Sequence, residues 1–320
     1  MPLHKVEDMA SDAYTEAWLE GPQQTNFYTR TYTAAPDTAK ANLVFVHGFA
    51  EHIGRYTEAH PEFAKRGINV FAFDERGFGK TALDKANKSK NSAYGKTSGP
   101  DQMEDIKWAL GHVAEAFPGL PVFLAGHSMG GGEVLSFATR HSADAVAALK
   151  GVIASSPLIR QTNPAPVWQR KLGGFVGNAI PNQLIPAPLK YSDLSHDKGY
   201  NDMCRTDSLS ILQGSLRGLS DMLNWGEELL AEHYKSWPKS LPVLFLHGSG
   251  DPITSHAASQ QFHDKIVADD KEHITYVDAF HELVHEPDHR GKLLEDMIVF
   301  IEKRVSTAVE PDAEAIESKL

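Results

Sequence analysis

The stretch LPVFLAGHSMGGGEVLSFATRH, residues 120–141, places an apolar run, a glycine-rich turn and a helical pattern in direct succession. Gly126 and Gly130 flank Ser128 in a G-x-S-x-G motif, and their lack of side chains leaves room for a tight turn that lifts the serine hydroxyl clear of a sheet. The helix that begins there points free N–H groups and its positive dipole end toward the serine. This order of elements predicts a nucleophile on a strand-to-helix turn, and a purely structural glycine turn is the weaker alternative.

Apolar runs elsewhere in the chain indicate an α/β fold. They are rich in Val, Ile, Leu and Phe, and helix-like stretches separate most of them. Continuous hydrophobicity indicates strands buried on both faces, and helical crossovers imply a parallel sheet with helices on either side. The alternating run 26–33, NFYTRTYT, instead predicts part of an antiparallel edge. The sequence therefore predicts a mostly parallel, doubly wound sheet built from the runs 41–49, 67–79, 120–128, 149–157, 241–251 and 273–281.

A long insertion interrupts this pattern. Residues 158–240 carry no strand pattern over about 80 residues, which is more than a crossover helix needs. We expect them to form a cap inserted between two parts of one core, residues 1–157 and 241–305, followed by a polar tail at 306–320. The middle of the cap, residues 172–189, mixes apolar residues with Gly and Pro, as a lid over a hydrophobic pocket or a lipid-facing surface does. Ordinary packing of the cap onto the core is the alternative.

The charge balance and the cysteine count exclude several kinds of protein. With 31 basic and 42 acidic residues the net charge is −11, so we expect no nucleic-acid partner. The single cysteine, Cys204, excludes an internal disulfide and a thiolate zinc cluster. We also expect neither a signal peptide nor a membrane span, because the chain shows no basic start followed by an apolar run and no stretch of about 20 apolar residues.

Two other residues complete the chemistry that Ser128 requires. A serine hydroxyl needs a base to remove its proton and a carboxylate to orient that base. Asp251 follows the run that ends in HGSG, and His281 comes 30 residues later, after ITYVDAF. The order Ser, Asp, His is the one this type of turn requires, and all three residues follow predicted strands, whose carboxyl ends meet at one edge of the sheet. The sequence therefore predicts a catalytic triad of Ser128, Asp251 and His281.

The segment His281-Glu282-Leu283-Val284-His285 also matches a zinc-binding motif with two histidines one helical turn apart. That motif requires a helix, whereas His281 directly follows an apolar strand and Pro287 would disturb a helix starting there. The extended motif would place a third histidine where the chain has Gly291. We therefore expect His281 to act as a base, with no metal and no cofactor required.

Four short motifs carry a resemblance to a known family of enzymes. They are HGFAEHIGRY at 47–56, FDERGFG at 73–79, GHSMGG at 126–131 and HGSGD at 247–251. Together they resemble motifs of the monoacylglycerol lipases and related lysophospholipase-like serine hydrolases of the α/β-hydrolase fold. The resemblance covers about residues 25–303. It is specific for the family and less so for the acyl substrate.

The resemblance implies roles for residues around the triad. The backbone N–H groups of Phe49 and Met129 would form the oxyanion hole, which also meets the physical need for donors after the first core strand and after the nucleophile. Glu51 and Arg55 would shape the polar end of the pocket near a glycerol head, although a buried structural ion pair is an alternative for them.

Cys204 in the cap and His285 after His281 are two further positions that the resemblance bears on. The segment Asp202-Met203-Cys204 resembles a family segment with a proline in place of Met203, so Cys204 would lie near the acyl pocket or be an inert buried thiol. Spacing after His281 varies within the family, which leaves the role of His285 open.

The expected activity follows from this resemblance. It implies hydrolysis of a monoacylglycerol, a small lipid substrate, to glycerol and fatty acid through an acyl-enzyme on Ser128. Lysophospholipids, simple esters and acyl-thioesters are alternative substrates, and a non-catalytic binding protein of the same fold is the alternative of another class. We expect Phe175, Val176 and Leu184 of the cap to line the acyl channel and to contact lipid surfaces.

The expected location rests on the last residues of the chain. Ser318-Lys319-Leu320 end a polar tail and match a peroxisomal signal, whereas the resemblance favours a cytoplasmic enzyme on lipid droplets or membranes. The oligomeric state stays open.

Overall fold

One sheet of eight strands organises the protein. A computed structural model describes residues 13–164 and 179–306. The strands of the sheet are β1 (Thr15–Gly21), β2 (Thr25–Tyr32), β3 (Ala41–Val46), β4 (Ile68–Phe73), β5 (Val122–His127), β6 (Leu149–Ser155), β9 (Val243–Gly248) and β10 (Lys271–Tyr276). Their spatial order is β1-β2-β4-β3-β5-β6-β9-β10, with β2 antiparallel to β1 and β4 and every other neighbouring pair parallel.

Helices cover both faces of this sheet. The α-helices are α1 (His60–Lys65), α2 (Gly79–Leu83), α3 (Gly99–Ala116), α4 (Met129–Arg140), α5 (Ala143–Ala147), α6 (Lys198–Thr206), α7 (Leu216–Ala231), α8 (His256–Lys265) and α9 (Arg290–Ser306). Alternate residues of β3 enter different apolar clusters: Val44 and Val46 pack with α3, α4 and α8, while Leu43 and Phe45 pack with α1 and α9. Burial on both faces is why β3 is apolar at nearly every position.

The predicted α/β architecture is confirmed, and each of the six apolar runs contains a parallel strand. The run 26–33 overlaps the antiparallel strand β2, as expected, except for Thr33, but the outermost strand is β1, which the sequence did not reveal. Its sequence TEAWLEG carries two glutamates and is partly exposed, so neither a continuous apolar run nor a clear alternation marks it.

The segment between β6 and β9 contains secondary structure that the sequence pattern did not show. Besides α6 and α7 it includes the short antiparallel strands β7 (Leu184–Pro186) and β8 (Gln213–Ser215). Three-residue strands that include Pro186 and Gly214 give no recognisable pattern. The Ser215 N–H donates to the Gly95 carbonyl at 2.9 Å, so this ribbon packs onto the loop that precedes α3.

Some expectations lie outside the described residues, namely those for Phe175, Val176 and the tail ending in Leu320. In the described ranges 13–164 and 179–306, no helix combines the length and the hydrophobicity needed to cross a bilayer.

Candidate active site

Ser128 lies at the turn between β5 and α4, in a strained conformation. Its φ of 56° and ψ of −115° put a non-glycine residue in a rarely adopted region, which costs roughly 1–3 kcal/mol and is typical of functional turns. A Cβ at Gly126 would lie 2.2 Å from the Gly130 carbonyl oxygen, and one at Gly130 would lie 2.4 Å from the Val46 carbonyl oxygen. Glycine is therefore required at both positions, since any side chain would push the turn off β3 and α4.

Three side chains meet at this turn in the order that the sequence predicts. The Ser128 Oγ lies 2.9 Å from His281 Nε2, and His281 Nδ1 lies 2.8 Å from Asp251 Oδ2. All three residues are at least nine-tenths buried. With the Nδ1 proton directed at the carboxylate, Nε2 is free to accept the serine proton. The structure thus brings together side chains that are 153 and 30 residues apart in sequence.

Asp251 is held as a carboxylate by more than one partner. Its Oδ1 accepts the backbone N–H groups of Ile253 at 2.8 Å and Thr254 at 3.0 Å. Burial raises the pKa of Asp251, but the neighbouring His281 and His247 outweigh it and lower that pKa well below the usual value. The carboxylate is therefore ionised and can stabilise a charged His281.

Thr254 and His247 contact the acid but were missed by sequence reasoning. The Thr254 hydroxyl donates to Asp251 Oδ2 at 2.7 Å and lies 3.2 Å from His281 Nδ1, while His247 Nε2 lies 3.2 Å from the same Oδ2. Both residues are fully buried. The available signal was a polar residue, His247, near the end of the otherwise apolar strand VLFLHG.

The zinc-motif segment is not an α-helix. His281 lies between β10 and a short 3₁₀ helix at Leu283–His285, as its position after a strand predicts. His285 stacks on Tyr200 with ring centroids 3.8 Å apart, and burial lowers its pKa to about 4. The two histidines therefore do not form the one-turn pair of the helical zinc motif, and His285 is a neutral packing partner.

The two residues expected to supply oxyanion donors follow neighbouring strands. Met129 begins α4, so its N–H lies in the first helical turn, where no intrahelical acceptor exists. Phe49 follows β3 in a tight turn in which the Glu51 N–H contacts the Gly48 carbonyl at 3.3 Å. The Phe49 ring packs edge-on against Phe78 at 5.6 Å, which fixes this turn beside the serine.

A cavity of about 370 Å³ opens at Ser128 and His281. Most of its apolar wall comes from the segment between β6 and β9, and the rest comes from the loops after β3 and β9. The apolar lining residues include Phe49, Leu158, Ile185, Leu189, Leu194, Leu212, Leu216, Leu219, Met222, Leu223 and Ile253. Such a wall suits a hydrocarbon chain whose reacting end lies at the serine.

The strand β7 places Ile185 in this wall, whereas the expectation that Leu184 lines the acyl channel was wrong. Leu184 lies against Gly95 of the loop before α3 and is not in the cavity lining. Successive side chains of a strand point to opposite faces, so only one of the two neighbours can face the cavity.

Polar residues line the end of the cavity near the triad. Glu51 and Arg55 both reach its wall and form a buried pair at 3.5 Å. The second Glu51 oxygen accepts hydrogen bonds from the Gly48 N–H and the Tyr56 hydroxyl, each at 2.8 Å. Arg55 also lies 3.3 Å from Asp207, which follows α6. Glu51 and Arg55 therefore form a buried ion pair and also line the cavity.

Cys204 does not reach the cavity. It is fully buried in a cluster with Leu194, Tyr200, Tyr191 and Ile253, some of which line the cavity in front of it. Burial raises the pKa of the thiol to about 11, so the group is inert at neutral pH. The structure supports the alternative of a buried thiol rather than a contact with substrate.

A buried cluster of charged residues adjoins Ser128 and His281. Within residues 13–164 and 179–306, Glu51, His127 and Glu282 are the one set of three metal-ligand-type side chains whose atoms lie within 4.8 Å of one another. Burial disfavours a charged His127, but Glu282 and Glu51 outweigh this effect and raise its pKa to about 9. A protonated His127 lies 3.5 Å from Glu282 and Arg55 lies 3.5 Å from Glu51, so each of the two carboxylates has a cation close to it.

Comparisons with known proteins show the family and the fold of the chain. A family model described as serine aminopeptidase S33 (Hydrolase_4) matches residues 37–288. A putative monoglyceride lipase of Schizosaccharomyces pombe is 32% identical over 81% of this chain, which spans 66% of that protein's length. A monoacylglycerol lipase of Mycolicibacterium smegmatis is 26% identical over 83% of this chain and 90% of its own length. The crystal structure of a soluble variant of Saccharomyces cerevisiae monoglyceride lipase with a substrate analog superposes with a TM-score of 0.79, at 23% identity, over 94% of this chain and 97% of that one.

Proposed function

Because the chain belongs to the Hydrolase_4 family, described as serine aminopeptidase S33, we propose that it is a serine hydrolase that cleaves monoacylglycerols to glycerol and fatty acid. The observation that carries the proposal is the contact series Ser128–His281–Asp251 at the polar end of an apolar cavity. The names of the fission yeast and mycobacterial relatives support the choice of substrate.

The proposed reaction has two steps. His281 Nε2 takes the proton of Ser128 as Oγ attacks the ester carbonyl carbon, and Asp251 stabilises the resulting imidazolium. The N–H groups of Phe49 and Met129 stabilise the oxyanion. His281 then donates the proton to the leaving glycerol oxygen, which frees glycerol and leaves the acyl group on Ser128. In the second step water loses a proton to His281, attacks the acyl carbon and releases the fatty acid, which restores the serine.

The charges at the polar end favour an uncharged head group. Glu51 and Glu282 both line this end of the cavity. The cation in the same wall, Arg55, lies close to the carboxylates of Glu51 and Asp207. Among the described residues of this wall, a phosphate would therefore meet two buried carboxylates and no cation that is not already paired, which is unfavourable in a water-poor site. This favours glycerol esters over lysophospholipids and acyl-CoA.

A substrate panel tests the proposal. Purified enzyme is offered 1-oleoylglycerol, dioleoylglycerol, trioleoylglycerol, lysophosphatidylcholine and oleoyl-CoA, with the Ser128→Ala variant as control. We expect the monoacylglycerol to give the highest kcat/KM, and the variant to be inactive but folded. Preference for lysophosphatidylcholine or oleoyl-CoA would overturn the choice of head group. Inactivity on all five substrates would favour the non-catalytic alternative.

We further propose that the segment between β6 and β9 acts as a lipid-contacting cap. Three of the exposed large apolar side chains lie in it, Ile180 at 49%, Met203 at 48% and Ile211 at 36% exposure. Replacing Ile180 and Met203 by Ser should weaken sedimentation with phosphatidylcholine vesicles. The matched control is the Val267→Ser variant. Val267 is 70% exposed and lies outside the segment between β6 and β9. Equal binding by all three proteins would contradict this role.

For the location, we propose import into peroxisomes through Ser318-Lys319-Leu320. A fluorescent protein that carries the last dozen residues should enter peroxisomes. Deleting the tripeptide from the full chain should leave activity unchanged and shift the enzyme to the cytoplasm or to lipid droplets. Full-length protein that stays on lipid droplets with its tail intact would contradict the proposal.

A further inference from the structure

The immediate sequence neighbours of the nucleophile and the base form a buried ion pair. His127 precedes Ser128 and Glu282 follows His281. The His127 Nε2 lies 3.5 Å from Glu282 Oε1, and these side chains are only 4% and 1% exposed. The His127 ring also lies 4.8 Å from the His281 ring. The pair therefore connects the β5–α4 turn to the loop after β10 beside the reacting atoms.

A third catalytic loop joins the same pair. Glu51 lies two residues after Phe49, and its Oε1 is 3.9 Å from His127 Nε2. Its Oε2 accepts the Gly48 N–H at 2.8 Å and thereby shapes the turn that presents the Phe49 N–H. The loops that carry the nucleophile, the base and one oxyanion donor thus each contribute one charged residue to the cluster.

A buried cluster of charges lowers the stability of the fold unless opposite charges lie close together. Burying an ion costs several kcal/mol, which only close opposite charges offset. Moving any one of the three loops would separate buried opposite charges at low dielectric, where attraction is strong. The proposed two-step reaction transfers no proton through His127 or Glu282, so proton transfer does not account for their presence.

We propose that His127 and Glu282 are positioning residues that hold Ser128 Oγ and His281 Nε2 in alignment, with Glu51 tying the loop of Phe49 to the pair. This inference rests on the proposed serine hydrolase function. It assigns the pair an effect on the chemical step that is separate from the contribution of the Glu282 carboxylate to the choice of head group.

The first test separates the chemical step from binding. Glu282→Gln, His127→Gln and the double variant are compared on a short soluble ester. We expect kcat to fall roughly 10- to 100-fold in each single variant with KM nearly unchanged, because a displacement of about 1 Å costs on that order. The double variant should lose little more than the worse single variant, since the two residues act as one unit. Unchanged kcat, or fully multiplicative losses, would overturn the proposal.

A matched control separates positioning from stability. Asp105→Asn removes a carboxylate that is similarly buried and pairs with Arg76 at 2.5 Å, but lies on α3. We expect this variant to lower the unfolding temperature and to leave the kcat of the folded enzyme unchanged. Equal loss of kcat in Asp105→Asn and Glu282→Gln would show that the pair acts through general stability alone.

The pH dependence provides a second readout. The titratable and charged groups around His127 are Glu51, Glu282, His281, Asp251 and His285. The pKa of His127 is raised from 6.5 to about 9, so the stability that the ion pair contributes is fully present below about pH 6.5 and is lost as the pH rises through about 9. Wild-type kcat should fall through that range, and this fall should be absent from His127→Gln. A fall that persists in this variant would overturn the role of His127.

Two further outcomes identify the source of a failure. If a fluorophosphonate does not modify wild-type Ser128, the proposed function fails and not merely the positioning role. If a chelator abolishes wild-type activity and zinc restores it, the three side chains hold a metal ion and the ion-pair proposal is overturned.

Discussion

Replacing Asp251 by Asn tests the proposed triad at the residue whose surroundings are best defined. The side chain of the Asp251→Asn variant would have one carbonyl oxygen where Asp251 has two carboxylate oxygens. Two sets of donors compete for that oxygen, the backbone N–H groups on one side and the groups of Thr254 and His281 on the other. The backbone N–H groups of Ile253 and Thr254, at 2.8 and 3.0 Å, would both be unsatisfied if the NH₂ faced them. Since each buried unsatisfied donor costs about 1–3 kcal/mol, the oxygen should face the backbone and the NH₂ should face His281.

That orientation removes the base. An NH₂ group 2.8 Å from His281 Nδ1 forces the ring to accept there and to carry its proton on Nε2, which can no longer take the Ser128 proton. We expect kcat on a short soluble ester to fall about 10⁴-fold, with secondary structure unchanged by circular dichroism. The control is Asp269→Asn, at an exposed surface carboxylate, which should keep wild-type kcat. A loss of less than about tenfold in Asp251→Asn would refute the assigned role of the acid.

Other perturbations address the turn, the cavity and the thiol. Gly130→Ala should lower the free energy of unfolding by about 3 kcal/mol and nearly abolish turnover, because its Cβ would lie 2.4 Å from a carbonyl oxygen. Gly111→Ala, at a position on α3 with open space around it, should instead raise the unfolding temperature by about 1–3 °C. Ile185→Ser should reduce hydrolysis of long-chain esters about tenfold more than of short ones, and the neighbouring Leu184→Ser should affect both equally. Cys204 should resist iodoacetamide at pH 8 until the protein is unfolded, and rapid labelling of the native enzyme would contradict its burial.

Sequence patterns revealed the central sheet because its strands are buried on both faces. The continuous apolar runs predicted its parallel strands. The glycines around Ser128 predicted a tight turn, in which neighbouring backbone atoms lie too close to leave room for a side chain. The partly exposed edge strand β1 and the three-residue strands β7 and β8 carry too few apolar residues for either pattern. Similarly, nothing in the sequence showed that Ile185 and not Leu184 would face the cavity.

The side chains around the triad could be predicted only in part, because their partners are distant in sequence. The order of Ser128, Asp251 and His281 along the chain was a sufficient signal to predict that these three side chains meet. The contact of His127 with Glu282 joins residues that follow different strands, and it exists only after β5 and the loop after β10 come together. Local patterns carry no information about such pairs.

Labelling with a fluorophosphonate tests the central claim most directly. The enzyme is treated with one equivalent of the probe, residual hydrolysis of 1-oleoylglycerol is measured, and the modified peptide is identified by mass spectrometry. The proposed function requires modification of Ser128, in proportion to the activity lost, with protection by excess 1-oleoylglycerol. Modification of another residue, or full hydrolysis by a chain modified at Ser128, would contradict it.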